Sequence, residues 1–171
     1  MAEDHQNVPE LELSLMDIFT KDELFDMWTC YNASWLIDCG LVPGSTPSYL
    51  QQKEVRDSIE SIADRVIREG KPGLTLRFSH DSSVLPLAYM MGLKEAMGAR
   101  PDIEHLYKYI SIDRLIPMAA NIQLVFYRKD GSDDILVKFL LQENETTLPI
   151  PTDCAPYYHW QDVKRYWAEH P

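Results

Sequence analysis

The order of the predicted elements places this chain in the α/β class, with a mixed, mainly parallel sheet and flanking helices. Three observations predict this class. Two helical patterns occupy most of residues 1–70, and a short strand-like run at residues 74–79 leads directly into another helix. Two alternating segments at residues 121–128 and 135–141 are then joined by a turn at residues 129–133, which is typical of an antiparallel hairpin.

The composition is that of an ordinary folded domain. The chain has 171 residues, of which 45% are hydrophobic and 25% are charged, which excludes the disordered and low-complexity classes. Twenty-seven acidic residues against 16 basic ones give a net charge of −11, which argues against nucleic acid as a partner. The wholly apolar runs are short, so no membrane span is expected. The N-terminus (MAEDHQ) is polar and acidic, and no signal peptide is visible in it.

The helices are predicted from caps and spacing. Thr20 and Glu23 form a predicted capping box, and the helix that they begin should run to about Gly40. Thr46 with Pro47 should begin a second helix, which the Gly-rich segment 70–73 ends. A short helix is expected over residues 84–91, with its proline in the first turn, and a closing helix over residues 160–169.

The strand prediction over residues 74–79 has a consequence. A single parallel-type strand cannot make a sheet alone, so its neighbours must come from elsewhere. Residues 146–150 are expected to add a third strand to the hairpin, and residues 94–117 are ambiguous. We therefore expect part of the sheet to be missing from this chain, and the isolated chain to self-associate or to pair with a missing N-terminal half.

The three cysteines do not define a disulfide framework. Cys30 and Cys39 share a predicted helix, roughly 13 Å apart along its axis, which is too far for a disulfide. Either could pair with Cys154, although three buried structural cysteines are favoured. No CxxC pair or His/Cys cluster has zinc-ligand spacing, so no metal site is predicted.

The chemistry is predicted where the strand-like run ends and the next helix begins. His80 and Asp81 stand at this junction, which in open α/β sheets is the edge where ligands bind. The N–H groups and the dipole of the first helical turn favour an anion there. A histidine can donate to a phosphate oxygen and a carboxylic acid can protonate a leaving alkoxide, while Ser82 or Ser83 would be the helix N-cap. The alternative is that the His-Asp pair is only part of a helix cap.

Residues 77–88 (RFSHDSSVLPLA) resemble the C-terminal histidine-aspartate motif of the histidine acid phosphatase branch of the histidine phosphatase superfamily. That branch includes phytases and multiple inositol-polyphosphate phosphatases. Residues 118–127 (MAANIQLVFY) are similar to the strand that follows the motif, and residues 152–160 (TDCAPYYHW) to the tail of bacterial members. The resemblance covers most of residues 20–165 and identifies the chain as the C-terminal half of such a protein.

The resemblance implies a division of the chain and a set of roles. Residues 1–70 would be a helical segment of the cap or insertion, and residues 71–171 the C-terminal part of the α/β core. His80 and Ser82 would bind the phosphoryl group of a small phosphorylated substrate, and Asp81 would be the general acid, with catalysis assigned to His80 and Asp81. No cofactor is implied, and the family's members are expected to be periplasmic or secreted.

The resemblance also implies that the chain is incomplete as a catalyst. The family's nucleophile is a histidine in an Arg-His-Gly-x-Arg motif, and no histidine of this chain follows an arginine. The residues that precede its five histidines are Asp4, Ser79, Glu104, Tyr158 and Glu169. The chain alone is therefore expected to be inactive. Two alternatives stay open: a truncated or degenerate phosphatase-like protein that at most binds anions, and a helical interaction module whose His-Asp pair is a cap.

Other candidate residues favour structural roles. Alternation places Arg77 on the face opposite His80, and His159 lies among aromatic residues as a packed tail residue. His5 and His105 have no obvious companions. The acids Asp130, Asp133 and Asp134 are expected in a solvated turn. The stripe Trp28, Tyr31, Trp35 is favoured as core over a substrate platform.

Overall fold

The computed structural model describes residues 18–97 and 102–170, and within these ranges the protein combines helices with a small antiparallel sheet. This is the mixed α/β class that the sequence predicts. Every strand pairing among the described residues is antiparallel, so the mainly parallel sheet stays a prediction. The helices are α1 (Lys21–Asp38), α2 (Lys53–Glu69), α3 (Asp81–Met91), α4 (Ile112–Leu115) and α5 (Trp160–Glu169), with 3₁₀ helices at Ser48–Gln52 and Ile103–Lys108. The strands are β1 (Ile122–Arg128), β2 (Ile135–Leu141), β3 (Asn144–Thr146) and β4 (Tyr158–His159).

Helix α1 begins with the predicted capping box. The Thr20 hydroxyl accepts a hydrogen bond from the Glu23 N–H at 3.2 Å, and the Glu23 carboxylate accepts one from the Thr20 N–H at 2.8 Å. Two backbone donors that have no partner within the helix are thereby satisfied. The helix ends at Asp38, and Gly40 with a φ of +76° turns the chain back toward the core.

The beginning of the second helix differs from the prediction. Thr46 and Pro47 precede a 3₁₀ turn over Ser48–Gln52, and α2 begins only at Lys53. A proline fits the entry to either type of helix, so its position did not distinguish them. The predicted end is correct, because Gly70 closes α2 in the left-handed conformation with a φ of +66°.

Helix α3 begins three residues before the predicted position. His80 is its N-cap, and Pro86 therefore lies inside the helix and not in its first turn. The proline lacks the N–H that would bond the carbonyl of Ser82 one turn earlier, which costs the helix one hydrogen bond. Leu85 and Met91 are buried, and the Met91 carbonyl accepts a hydrogen bond from the Trp167 indole at 3.1 Å. The core contacts of α3 thus fix the position of its N-terminus.

The sheet is organised around β2. Strand β1 pairs along its whole length on one side, and β3 and β4 pair with different parts of the other side. Alternate residues of β2 are buried, with Val137 and Phe139 fully so, as expected for a strand that has one face on a core. The predicted strand over residues 146–150 is wrong beyond Thr146. Pro149 and Pro151 lack the N–H groups that a ladder needs.

Helix α5 covers the sheet, as the sequence predicts. The Trp160 and Trp167 rings meet edge to face at 5.5 Å, and Phe126 of β1 contacts Trp160 at 5.0 Å. The Trp160 indole also donates to the Asp64 carboxylate of α2 at 2.7 Å, and Lys164 pairs with the same carboxylate at 3.0 Å. These contacts hold α2 and α5 together over the sheet.

The hydrophobic core is continuous across residue 70. Leu36 of α1 and Ala63 of α2 belong to the same buried cluster as Leu85 of α3 and Val163 of α5. The division into a cap (residues 1–70) and a core (residues 71–171) remains a prediction about the complete fold. Among the described residues, no helix has both the length and the apolar character needed to cross a bilayer.

The ambiguous segment at residues 94–117 is joined to α1 by one buried side chain. The Asn32 amide donates to the carbonyl of Ile110 at 3.1 Å, and its oxygen accepts the Ile112 N–H at 2.9 Å. Asn32 is completely buried, so the segment's two backbone groups depend on it.

We predict that Asn32→Ala lowers the free energy of unfolding by about 2–5 kcal/mol, since it leaves one buried donor and one buried acceptor unpaired. Urea denaturation followed by circular dichroism measures this. Ser34→Ala on the exposed face of the same helix is the matched control, with a loss of no more than about 0.5 kcal/mol. Equal losses in the two variants would contradict the role of Asn32.

Candidate functional site

The segment before α3 is extended but is not a strand in the structure, which corrects the prediction over residues 74–79. Residues 71–79 make no backbone–backbone hydrogen bond with any described residue. All of them are exposed, including three apolar residues at alternate positions: Leu74 at 82%, Leu76 at 66% and Phe78 at 91%. The alternation predicted a strand, but within the described ranges no other strand lies beside the segment to complete a ladder.

Arg77 is the one residue of this segment whose side chain hydrogen-bonds another described residue. Its guanidinium donates to the Ser58 hydroxyl of α2 at 2.8 Å. This contact tethers the extended segment to α2 and agrees with the structural role that alternation favoured.

His80 is the N-cap of α3. Its carbonyl accepts the N–H groups of Ser83 at 2.9 Å and Val84 at 3.1 Å, and its side chain makes no capping hydrogen bond. The predicted N-cap role of Ser82 or Ser83 is therefore wrong, because both lie inside the first turn. The imidazole is exposed and is not used in capping the helix, so it is accessible to a ligand.

Asp81 and Ser82 follow in the first helical turn, and both are exposed. The Asp81 carboxylate accepts the N–H of Ser82 at 2.7 Å. His80, Asp81 and Ser82 thus lie together at one solvent-facing helix N-terminus, where the positive end of the helix dipole favours a negative charge. A phosphoryl group that entered here would meet an imidazole, a carboxyl and a hydroxyl.

The C-terminal end of α1 lies near this turn. Burial, together with the nearby carboxylates of Asp38 and Asp81, raises the pKa of the Cys39 thiol to about 11. Cys39 is therefore protonated and inert at neutral pH. No disulfide joins the three cysteines: Cys39 is buried, as predicted, while Cys30 is exposed and Cys154 is half-buried, so the prediction of three buried cysteines is only partly right.

His159 has partners that the sequence did not suggest. Its Nδ1 lies 2.9 Å from an Asp134 oxygen, and its Nε2 lies 2.9 Å from Asp153 and 3.8 Å from the Cys154 sulfur. Hydrogen bonds to Asp134 and Asp153 raise the pKa of the imidazole to about 9. The residue is thus an ion-paired group and not only a packed tail residue. Asp134 was predicted to lie in a solvated turn, and in the structure it also pairs with His159.

Two further predictions are corrected. His105 has companions, because its Nδ1 is hydrogen-bonded to Asp102 and Glu104 lies beside both. The aromatic stripe on α1 is core only in part: Trp35 packs half-buried against the core, Trp28 packs half-buried on Phe25 and Tyr107, and Tyr31 is exposed. Asp130 and Asp133 are exposed, as expected of a turn, and His5 lies outside the described residues.

No protein-family model matches the sequence, and no curated protein matches it.

Proposed function

We propose that this chain is the C-terminal part of a phosphomonoester hydrolase of the histidine acid phosphatase type. One observation carries the proposal: His80 and Asp81 are exposed together at the N-terminus of a helix whose preceding segment has its apolar side chains and backbone groups uncovered. The sequence of residues 77–88 resembles the family's histidine-aspartate motif at this same place.

The uncovered segment supports the proposal through its energetics. Three large apolar side chains in water forgo burial worth about 1.5–3 kcal/mol each. An extended backbone without a ladder also leaves its N–H and C=O groups to solvent. Both costs are removed if residues 74–79 become an inner strand of a mainly parallel sheet. The neighbouring strands would come from a part of the fold that also carries the nucleophilic histidine and its flanking arginines.

In the complete enzyme, the roles follow from chemistry. The nucleophilic histidine attacks phosphorus and forms a phosphohistidine, while the phosphate–alcohol bond breaks. His80 donates a hydrogen bond to a phosphoryl oxygen, and Ser82 offers a second donor from the first turn of α3. Asp81, in its protonated form, gives its proton to the departing alkoxide. Water then cleaves the phosphohistidine and releases phosphate.

A second candidate function is anion binding without turnover, by a truncated or degenerate phosphatase-like protein. The exposed N-terminus of α3 favours it as much as it favours catalysis. The sequence of the encoding DNA distinguishes the two functions, because only the enzyme requires an upstream segment that encodes an Arg-His-Gly-x-Arg motif.

Asp81 supplies the functional test. When this chain is joined to the part that carries the nucleophile, Asp81→Asn should slow the hydrolysis of a sugar or inositol phosphate by about a hundredfold to ten-thousandfold. The rate on p-nitrophenyl phosphate should change much less, since nitrophenolate leaves with little need of a proton. The kcat on both substrates is measured, with Asp22→Asn on the first turn of α1 as a control that changes neither. Equal losses on the two substrates would count against the general-acid role.

The uncovered segment supplies a second test. We expect the isolated chain to self-associate through residues 74–79, and Phe78→Lys to shift it toward the monomer, because a charge opposes edge pairing. Met118→Lys changes an apolar side chain that is 98% exposed elsewhere and should leave association unchanged. Sedimentation velocity measures this. A monodisperse wild-type monomer that melts cooperatively well above about 60 °C would mean that the fold needs no further strands.

A further inference from the structure

The loop between β3 and β4, together with β4 itself, brings three different donor atoms to one point. Asp153, Cys154 and His159 each offer one atom, and these atoms all lie within 4.8 Å of one another. The Nε2 of His159 is 2.9 Å from an oxygen of Asp153 and 3.8 Å from the sulfur of Cys154. Ligand atoms around tetrahedral zinc, at bond lengths of about 2.0–2.3 Å, stand roughly 3.3–3.6 Å apart. The two separations of His159 bracket that range, so small shifts of its partners would bring them to zinc-ligand spacing.

The other nitrogen of His159 is held in the manner of a metal-bound histidine. Both Asp134 oxygens lie 2.9–3.0 Å from Nδ1, on the side of the ring away from Cys154 and Asp153. A carboxylate on the second nitrogen fixes the ring orientation and directs the free nitrogen toward the ion. Asp134 lies outside the ligand set, so it is an independent observation that points to a ligand at Nε2.

The backbone that carries the donors is ordered by its own contacts. The Thr152 hydroxyl donates to the Tyr157 carbonyl at 2.7 Å and accepts the Cys154 N–H at 3.3 Å. His159 lies in β4, opposite Leu136 of β2, and it is also the N-cap of α5. Asp153 is 84% exposed and His159 33% exposed, so the site opens to solvent. An ion could enter and keep a water in its fourth position.

The charges of the donors suit a divalent ion. A thiolate and a carboxylate contribute two negative charges, and the imidazole adds none once the ion has displaced the proton that Nε2 shares with Asp153. Asp134 adds a further negative charge behind the ring. Sulfur, nitrogen and oxygen donors together favour a borderline-soft ion over Mg²⁺ or Ca²⁺, which prefer oxygen alone.

The second group of this kind among the described residues is weaker. Asp102, Glu104 and His105 also lie within 4.8 Å of one another, but they offer no sulfur. Asp102 is already hydrogen-bonded to the Nδ1 of His105, and the three residues lie at the start of a six-residue 3₁₀ helix. It therefore serves as a comparison and not as a candidate.

From these contacts, we propose that Asp153, Cys154 and His159 bind one zinc ion, with Asp134 orienting His159. The ion would fasten the loop after β3 to β2 and α5. It involves neither His80 nor Asp81, and it goes beyond the proposed phosphatase function, which uses no metal. The two proposals can therefore fail separately.

Cobalt substitution and zinc competition test the site on the full chain, after chelator treatment. We expect Co²⁺ to produce the d–d bands of a tetrahedral site and a thiolate charge-transfer band, at one ion per chain. Zn²⁺ should displace it and should protect Cys154, but not the exposed Cys30, from alkylation as read by peptide mass spectrometry. Both readouts use the wild-type protein, so they do not depend on whether a variant folds.

Variants assign the ligands. Cys154→Ser should abolish the charge-transfer band, and Asp134→Asn should weaken zinc binding by about tenfold to a hundredfold, the range typical of an orienting partner. The controls Cys30→Ser and His105→Gln should leave band and affinity unchanged. A wild-type chain that gives no thiolate band with Co²⁺, or a band that survives in Cys154→Ser, would overturn the proposal.

Discussion

Backbone hydrogen bonding constrains the rest of this structure, and residues 71–79 are where it is incomplete. Elsewhere, side chains pair backbone groups that helix ends and loops leave without partners: buried Asn32 bonds the backbone of Ile110 and Ile112, and Thr20 with Glu23 closes the first turn of α1. Residues 71–79 instead make no backbone–backbone bond with the described chain and expose Leu74, Leu76 and Phe78. An extended segment with a strand's alternation needs a neighbour to become a strand.

The missing hydrogen-bond partners of residues 71–79 bear directly on the positions of His80 and Asp81. They follow the uncovered segment directly, and α3 holds them in place because its other end is packed into the core. Gly92 ends the helix at a φ of +80°, where an added Cβ would lie 2.4 Å from the Tyr166 hydroxyl. The helix cannot slide without disturbing this contact and the Trp167–Met91 hydrogen bond. The first turn of α3 therefore lies next to the part of the fold that covers residues 74–79. We infer that this covering part also carries the nucleophile.

Local patterns predicted the elements whose causes are local. The capping box gave the start of α1, the alternation of Ile135–Leu141 gave β2, and the helical spacing after Trp160 gave α5. The start of α3 was missed because Ser82 and Ser83 are good caps, whereas the observed N-cap is His80, whose side chain makes no capping hydrogen bond.

Features that depend on tertiary contacts could not be predicted in this way. The group around His159 was missed because Asp134 lies 25 residues away in the chain and meets it only through the pairing of β2 with β4. The sequence did contain three of the four residues of that group, Asp153, Cys154 and His159, within seven positions. Their spacing matches no common zinc pattern, which is why composition and motif arguments passed over them. The alternation of residues 74–79 likewise predicted a strand, but the described residues include no neighbouring strand that pairs with it.

Phosphatase activity of the chain alone tests the account most directly. In the proposed mechanism, this chain supplies the phosphate-binding histidine and the general acid, and another part of the fold supplies the nucleophile. Purified residues 1–171 should therefore hydrolyse p-nitrophenyl phosphate no faster than buffer does. Turnover by the chain alone that His80→Ala abolishes would contradict the account, because the chemistry would then be complete within these residues.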